Sequence, residues 1–198
     1  TAPLKYHMEG FFKNSEKSKS KYNYSNIVPN IIINYVWFKS KGDFQKILDE
    51  AFKEKAKIKN TVFFLKINPG FAKDEDGPGR YSFRADRYDY LRIAKAIMND
   101  WQNDTCVGKY LKTIYERRIN KNAKHLNPNS SNGMAKGYAG FFHTNYSGIK
   151  KRPVMGMIGY GGQLTLIDFE RGRIVVIQAI LDNYDWKKIV YRPIKKAK

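Results

Sequence analysis

Met155-Gly156-Met157-Ile158-Gly159-Tyr160-Gly161-Gly162-Gln163, continuing through Leu164-Thr165-Leu166-Ile167-Asp168-Phe169 to Glu170-Arg171-Gly172-Arg173, is the stretch on which the reading of this chain turns. Apolar, β-branched runs on either side of a glycine-bearing turn are the mark of a β-hairpin, so residues 163–169 and 173–181 are expected as paired antiparallel strands. Val154–Ile158 reads as a third strand before them. Four glycines in seven residues weaken such a strand and are tolerated where backbone must approach something closely. Backbone N–H groups exposed on such an edge are what an oxyanion hole requires; a bulge or a tight sheet-to-helix contact is the ordinary alternative.

Upstream, residues 137–145 read as one more strand and residues 120–133 as a polar loop. Before them the spacing is helical: residues 107–119, and residues 85–102 with Tyr88, Leu91, Ile93, Ala94, Ile97, Met98 and Trp101 on one face. Residues 74–80, Asp-Glu-Asp-Gly-Pro-Gly-Arg, are a loop by composition, and residues 61–67 a strand. Residues 43–52 repeat apolar side chains at helical spacing. Residues 26–38 form an apolar run with Pro29 in the tolerated first turn; we read it as a buried helix, its β-branched residues leaving a strand open. No repeat or linker appears. The expected architecture is α+β, helices first and a meander of antiparallel strands last, within one domain spanning residues 1–198.

The composition narrows the function classes. Of 198 residues, 37 are Lys or Arg against 18 Asp or Glu, a net charge of +19. The basic residues are spread along the chain in short, Lys-dominated pieces, which reads as solvated faces rather than a specific nucleic-acid footprint. The longest apolar runs, residues 31–38 and 174–181, are under half the roughly 18 residues a membrane span needs. The single cysteine, Cys106, excludes an internal disulfide and a Cys-based zinc cluster, and between two helical stretches it reads as a buried structural thiol. His7, His125 and His143 fall in no metal-ligand spacing, so neither metal nor cofactor is expected. Thr1-Ala2-Pro3-Leu4 has no initiator Met and no signal-peptide layout, and reads as the inside of a longer chain.

Tyr22-Asn23-Tyr24-Ser25-Asn26 is a polar aromatic cluster just before an apolar helix, alone no more than caps and packing. Taken with the glycine-rich strand, it carries a resemblance. Tyr24-Ser25-Asn26 with Ile27-Val28-Pro29-Asn30-Ile31-Ile32 resembles the Tyr-x-Asn motif and following helix of the serine β-lactamase-like hydrolases. That superfamily takes in class C β-lactamases, D-Ala-D-Ala carboxypeptidases, family VIII esterases and 6-aminohexanoate-dimer hydrolases. Arg84 to Ala94 resembles its helix opening on a T-x-x-D-x-x-R-F type pattern. Gly137-Tyr138-Ala139-Gly140-Phe141-Phe142 resembles its Y-G-Y-G-F-W strand. Gly159-Tyr160-Gly161-Gly162-Gln163, with Ile167-Asp168 and Ile174-Val175-Val176, is similar to its closing G-x-G-G-Q, D-P and V-V-V hairpin. The likeness runs in family order from Tyr24 to Ile180.

The resemblance implies a β-lactamase/transpeptidase-like fold and a serine acyl-enzyme, with the nucleophile in a Ser-x-x-Lys motif well upstream of Tyr-x-Asn. Two Ser-x-x-Lys matches occur, Ser18/Lys21 and Ser147/Lys150. One lies in a charged run and the other in a strand-connecting loop, so both are read as coincidental in a Lys-rich chain. The chain is then the carboxy-terminal part of a hydrolase, inactive without an amino-terminal half that carries serine and base. Tyr24 is the implied proton-transfer partner of that serine, its hydroxyl needing a neighbouring Lys to bring its pKa down from near 10, and Asn26 its hydrogen-bonding support. The backbone N–H of Tyr160 is an implied oxyanion donor. Met157, Ile158, Gly159, Gly161, Gly162 and Gln163 are the implied substrate-binding stretch, Gln163 as pocket lining or structure. Where β-lactamases carry Lys-Thr-Gly this chain has Met157-Ile158-Gly159, with no cation or hydroxyl to hold a substrate carboxylate, which favours an esterase or aminohexanoate-type amidase. The expected partners are therefore a small-molecule ester or amide and the rest of the same domain. Two other readings stand beside this one: a relative that keeps the fold without the chemistry, and a basic module binding nucleic acid or an anionic surface. Periplasm and cytoplasm are equally open.

Overall fold

The structure is a computed structural model, and it describes residues 22, 24, 27–67, 80–126, 134–149, 152–181 and 183–195. The chain divides into two compact units, one ending at Asp86 and the other beginning at Arg87.

In the first unit, α1 (Ile27–Lys39) carries apolar residues on all sides, including exposed Ile32, Tyr35 and Phe38. The run is helical, and its β-branched residues do not make it a strand, but it is not the buried helix expected: Asn34 is its one buried residue among positions 28–39. Gly42, at φ +86°, takes the left-handed conformation that turns the chain beneath the Trp37 ring. Asp43 then caps α2 (Phe44–Leu48), its carboxylate accepting the Lys46 N–H at 3.0 Å, and the helix runs on as a wider π-type turn over Asp49–Lys55. β1 (Phe63–Ile67) pairs antiparallel with β2 (Arg80–Arg84), Leu65 opposite Ser82. Aromatic rings close this unit: Phe64 packs against Phe44 and Phe83, and Phe52 against Phe83. β2 is a strand that the composition does not announce. Its partner makes it one, because two facing aromatic strands cover apolar surface that neither covers alone.

The second unit is a three-layer stack. α3 (Arg87–Gln102) and α4 (Cys106–Glu116) cover one face of a six-stranded antiparallel sheet. Its strands, β3 (Ile119–Asn120), β4 (Ala135–Ala139), β5 (Phe142–Tyr146), β6 (Val154–Ile158), β7 (Leu164–Asp168) and β8 (Arg173–Ile177), lie side by side in chain order. The α+β class and the carboxy-terminal antiparallel meander are therefore as expected. On the other face lies a short helix, a π-type turn over Lys187–Tyr191 running into α5 (Arg192–Lys195). Side chains alternate along the strands: Met155 and Ile167 face Ala94 and Trp101, while Val154, Leu164 and Leu166 face Trp186, Val190 and Ile194. β7, covered on both faces, is buried at every position.

Three expectations are corrected here. Residues 137–145 are two strands, β4 and β5, because Gly140 (φ +49°) and Phe141 (φ +72°) reverse the chain between them. Cys106 is exposed, not buried: Thr105 caps α4 through its hydroxyl, which accepts the Gly108 N–H at 3.1 Å, so Cys106 is the first helical residue and points to solvent. The polar stretch 120–133 includes a buried Lys121 and a 3-10 turn over Ala123–His125.

Gly108 lets α3 and α4 meet backbone to backbone, since a Cβ there would overlap the Asp100 carbonyl oxygen. An ion pair on the α5 face of the sheet joins the β5–β6 connection to the end of β7. Arg152 Nε stands 2.7 Å from Asp168 Oδ2, at an angle too oblique for a hydrogen bond, and Asp168 is fully buried. The Arg152 guanidinium also donates to the Ile194 carbonyl at 2.9 Å, and Asp168 Oδ1 accepts the Arg171 N–H at 3.1 Å within the β7–β8 turn.

Candidate functional site

The register of β6, β7 and β8 places two rows of side chains on the α3 face of the sheet. Met155, Ile167 and Ile174 form one row, and Met157, Thr165 and Val176 the next. The Met155 row is covered by Ala94, Ile97, Met98 and Trp101. The Met157 row lies beyond that cover, toward the start of α3, where Tyr90 is the helix residue that reaches it. A cleft of about 170 Å³ results. Ile158, Gly159, Gln163 and Leu164 line its β6–β7 side, and Ile177 and Gln178 its β8 side. Apart from the Tyr90 and Thr165 hydroxyls and the two glutamine amides, the lining is apolar, and it holds no charged side chain.

Of the residues singled out in the sequence, Met157, Ile158, Gly159 and Gln163 meet at this cleft. Tyr160, Gly161 and Gly162 form a 3-10 turn just outside its lining, closed by the Gly159 N–H donating to the Gln163 carbonyl at 2.8 Å. Tyr160 is 96 % exposed. The close approach that the glycines permit is to the protein's own groups. Gly161 (φ +74°) leaves room for the Ile180 carbonyl, 2.9 Å from where a Cβ would stand, and Gly156 leaves room for the Tyr146 hydroxyl. The Tyr184 hydroxyl donates to the Gly162 carbonyl at 2.7 Å and fastens the turn to the segment after β8. Of these glycines, Gly159 is the one that lines the cleft.

Tyr24 belongs to the first unit and is 53 % exposed, whereas its neighbour Tyr22 is buried, with its hydroxyl pKa raised by burial and by the Tyr24 charge. Asn26, Ser25, Ser18 and Lys21 lie outside the described residues, as does Lys150. Ser147 sits in the β5–β6 connection, its hydroxyl donating to the Met134 carbonyl at 3.3 Å. It heads no helix, so that Ser-x-x-Lys match has no nucleophile geometry.

Sequence reading did not reach Tyr90, Thr165 and Val176. The signal for two of them was present: a turn centred on residues 170–171 pairs Asp168 with Arg173, and three single-residue steps back along the ladder put Thr165 opposite Val176. It also missed a second polar cluster. Lys121, just after β3, and His143, on β5, are both buried, with Lys121 Nζ donating to His143 Nδ1 at 2.6 Å and the Tyr138 ring edge-on to the imidazole. Burial brings the Lys121 amine down to about 8. Burial, and then the Lys121 charge, bring His143 down to about 3, so the imidazole is neutral in ordinary conditions.

Among the described residues, no three His, Cys, Asp or Glu side chains gather to hold a metal ion, and no helix is long and apolar enough to cross a membrane. No protein-family model, curated protein or solved structure matches the chain.

Proposed function

We propose that this chain supplies one side of the active site of a serine hydrolase of the β-lactamase-like kind, cleaving an ester or amide through an acyl-enzyme. The end of β6 carries the reading. The strand runs into an uncharged cleft at Met157, Ile158 and Gly159, and the next residue, Tyr160, bears a backbone N–H bonded directly to that lining. A carbonyl seated in the cleft would have that N–H as an oxyanion donor, a role that needs no side chain. The serine Oγ, from a Ser-x-x-Lys segment outside these 198 residues, attacks the carbonyl carbon while its proton passes toward the lysine and Tyr24. The leaving alcohol or amine takes a proton as the C–O or C–N bond breaks, and water then hydrolyses the acyl-serine. The cleft's lack of any cation supports an ester or neutral amide over a substrate held by its carboxylate.

The test is turnover of a chromogenic short-chain ester by the protein made from the intact gene. The Tyr24→Phe variant is expected to lose about 10²- to 10⁴-fold in kcat/KM, the usual worth of a proton-transfer group. Unchanged turnover in that variant removes Tyr24 from the mechanism.

A further inference from the structure

We infer that the cleft between Tyr90 and the Met157–Thr165–Val176 row binds a neutral apolar group about the size of a benzene ring or a six-carbon chain, and selects against a charged one. Its volume, about 170 Å³, is close to that of apolar protein cavities, roughly 150 Å³, that accept benzene. Its floor is the Met157, Thr165 and Val176 row, and its side-chain polar groups are uncharged: a phenol, a threonine hydroxyl and two amides. The two amides belong to Gln163 and Gln178. Gln163 follows the turn carrying Tyr160, and Gln178 precedes Ile180, which is 90 % exposed. The apolar surface therefore continues out of the cleft along the sheet end, and a ligand longer than the cleft would extend that way.

The selectivity follows from charge placement. The chain carries +19 overall, yet none of that charge lines this cleft. The net field draws an anion to the protein, but a carboxylate entering the cleft would lose its hydration and find no cation in return. The hydrolase reading is needed only to call this group the acyl or aryl part of a substrate; the binding does not depend on it.

The experiment is an amide-resolved NMR titration of this protein with n-hexanol and, separately, with sodium hexanoate at neutral pH. Saturable shifts at Gly159, Gln163, Thr165 and Val176 are expected with hexanol, at an apparent Kd at least about tenfold below that for hexanoate. Hexanoate binding as tightly as hexanol, or hexanol shifts scattered over the protein without saturation, overturns the proposal. Val176→Trp, filling the cleft from the edge strand, should abolish the hexanol shifts while the rest of the spectrum is kept. If that variant fails to fold, Gln178→Trp at the exposed end of β8 makes the same test, and undiminished binding in a folded variant again overturns the proposal. Hexanol binding together with unaltered ester turnover in Tyr24→Phe would retain the cleft and discard the tyrosine mechanism; the reverse pair of results would do the opposite.

Discussion

His143 is a residue whose ionisation the fold strongly resists. It is buried beside the Lys121 amine with the Tyr138 ring against it, and its pKa is brought down from 6.5 to about 3. The folded chain therefore binds fewer protons at this site than the unfolded chain does between those two values, so stability falls as pH drops from about 6.5 toward 3. Lys121, lowered from 10.5 to about 8, acts in the same direction at higher pH: stability rises from about 8 toward 10.5. The histidine contribution is at most about 5 kcal/mol, from 1.36 kcal/mol per pKa unit. Urea midpoints of the wild type should fall between pH 7 and pH 4, and those of His143→Gln, which does not titrate there, should fall less. Equal falls in the two proteins would mean that His143 is not the acid-sensitive group.

At the scale of elements, the Arg152–Asp168 pair joins the β7–β8 hairpin to α5, with Arg173 adding a hydrogen bond to the Pro193 carbonyl at 3.0 Å. Removing one member of a buried pair leaves the other uncompensated, at a cost of about 3–5 kcal/mol. Asp168→Asn is thus expected to lower the thermal midpoint by several degrees or more, and the double variant Arg152→Met, Asp168→Leu to recover most of the loss. An Asp168→Asn protein as stable as the wild type would show that the pair does not fasten the two elements. The elements legible in the sequence were those with local signals. The apolar spacing of residues 43–52, the spacing of α3 and the Glu170-Arg171-Gly172 turn all gave the correct element, although β8 ends at Ile177 and not at residue 181. Those it missed depend on distant partners. β2 is a strand through β1, and the break between β4 and β5 rests on Phe141 in a left-handed conformation that a phenylalanine does not advertise. The final helical segment hid behind Pro193 and a π-type turn, which blur the 3.6-residue spacing.

Over the whole molecule, sequence and structure agree on an α+β chain with a carboxy-terminal antiparallel meander; the short helix after it is seen only in the structure. Half of the proposed site was legible as well, because the strand holding Met157, Ile158 and Gly159 announces itself by its glycines. The other half was not, because a cleft is made by what fails to cover a strand, and the point where α3 stops covering the sheet is a tertiary fact. The glycines themselves proved to answer mainly to Tyr146 and the Ile180 backbone. The serine nucleophile is the most exposed part of the account. The most direct measurement is labelling of the protein made from the intact gene with a fluorophosphonate, followed by peptide mapping. The account predicts one modified serine, in a Ser-x-x-Lys segment upstream of residue 1, with labelling slowed in Tyr24→Phe. No serine labelled, or the label found on Ser147, would contradict it.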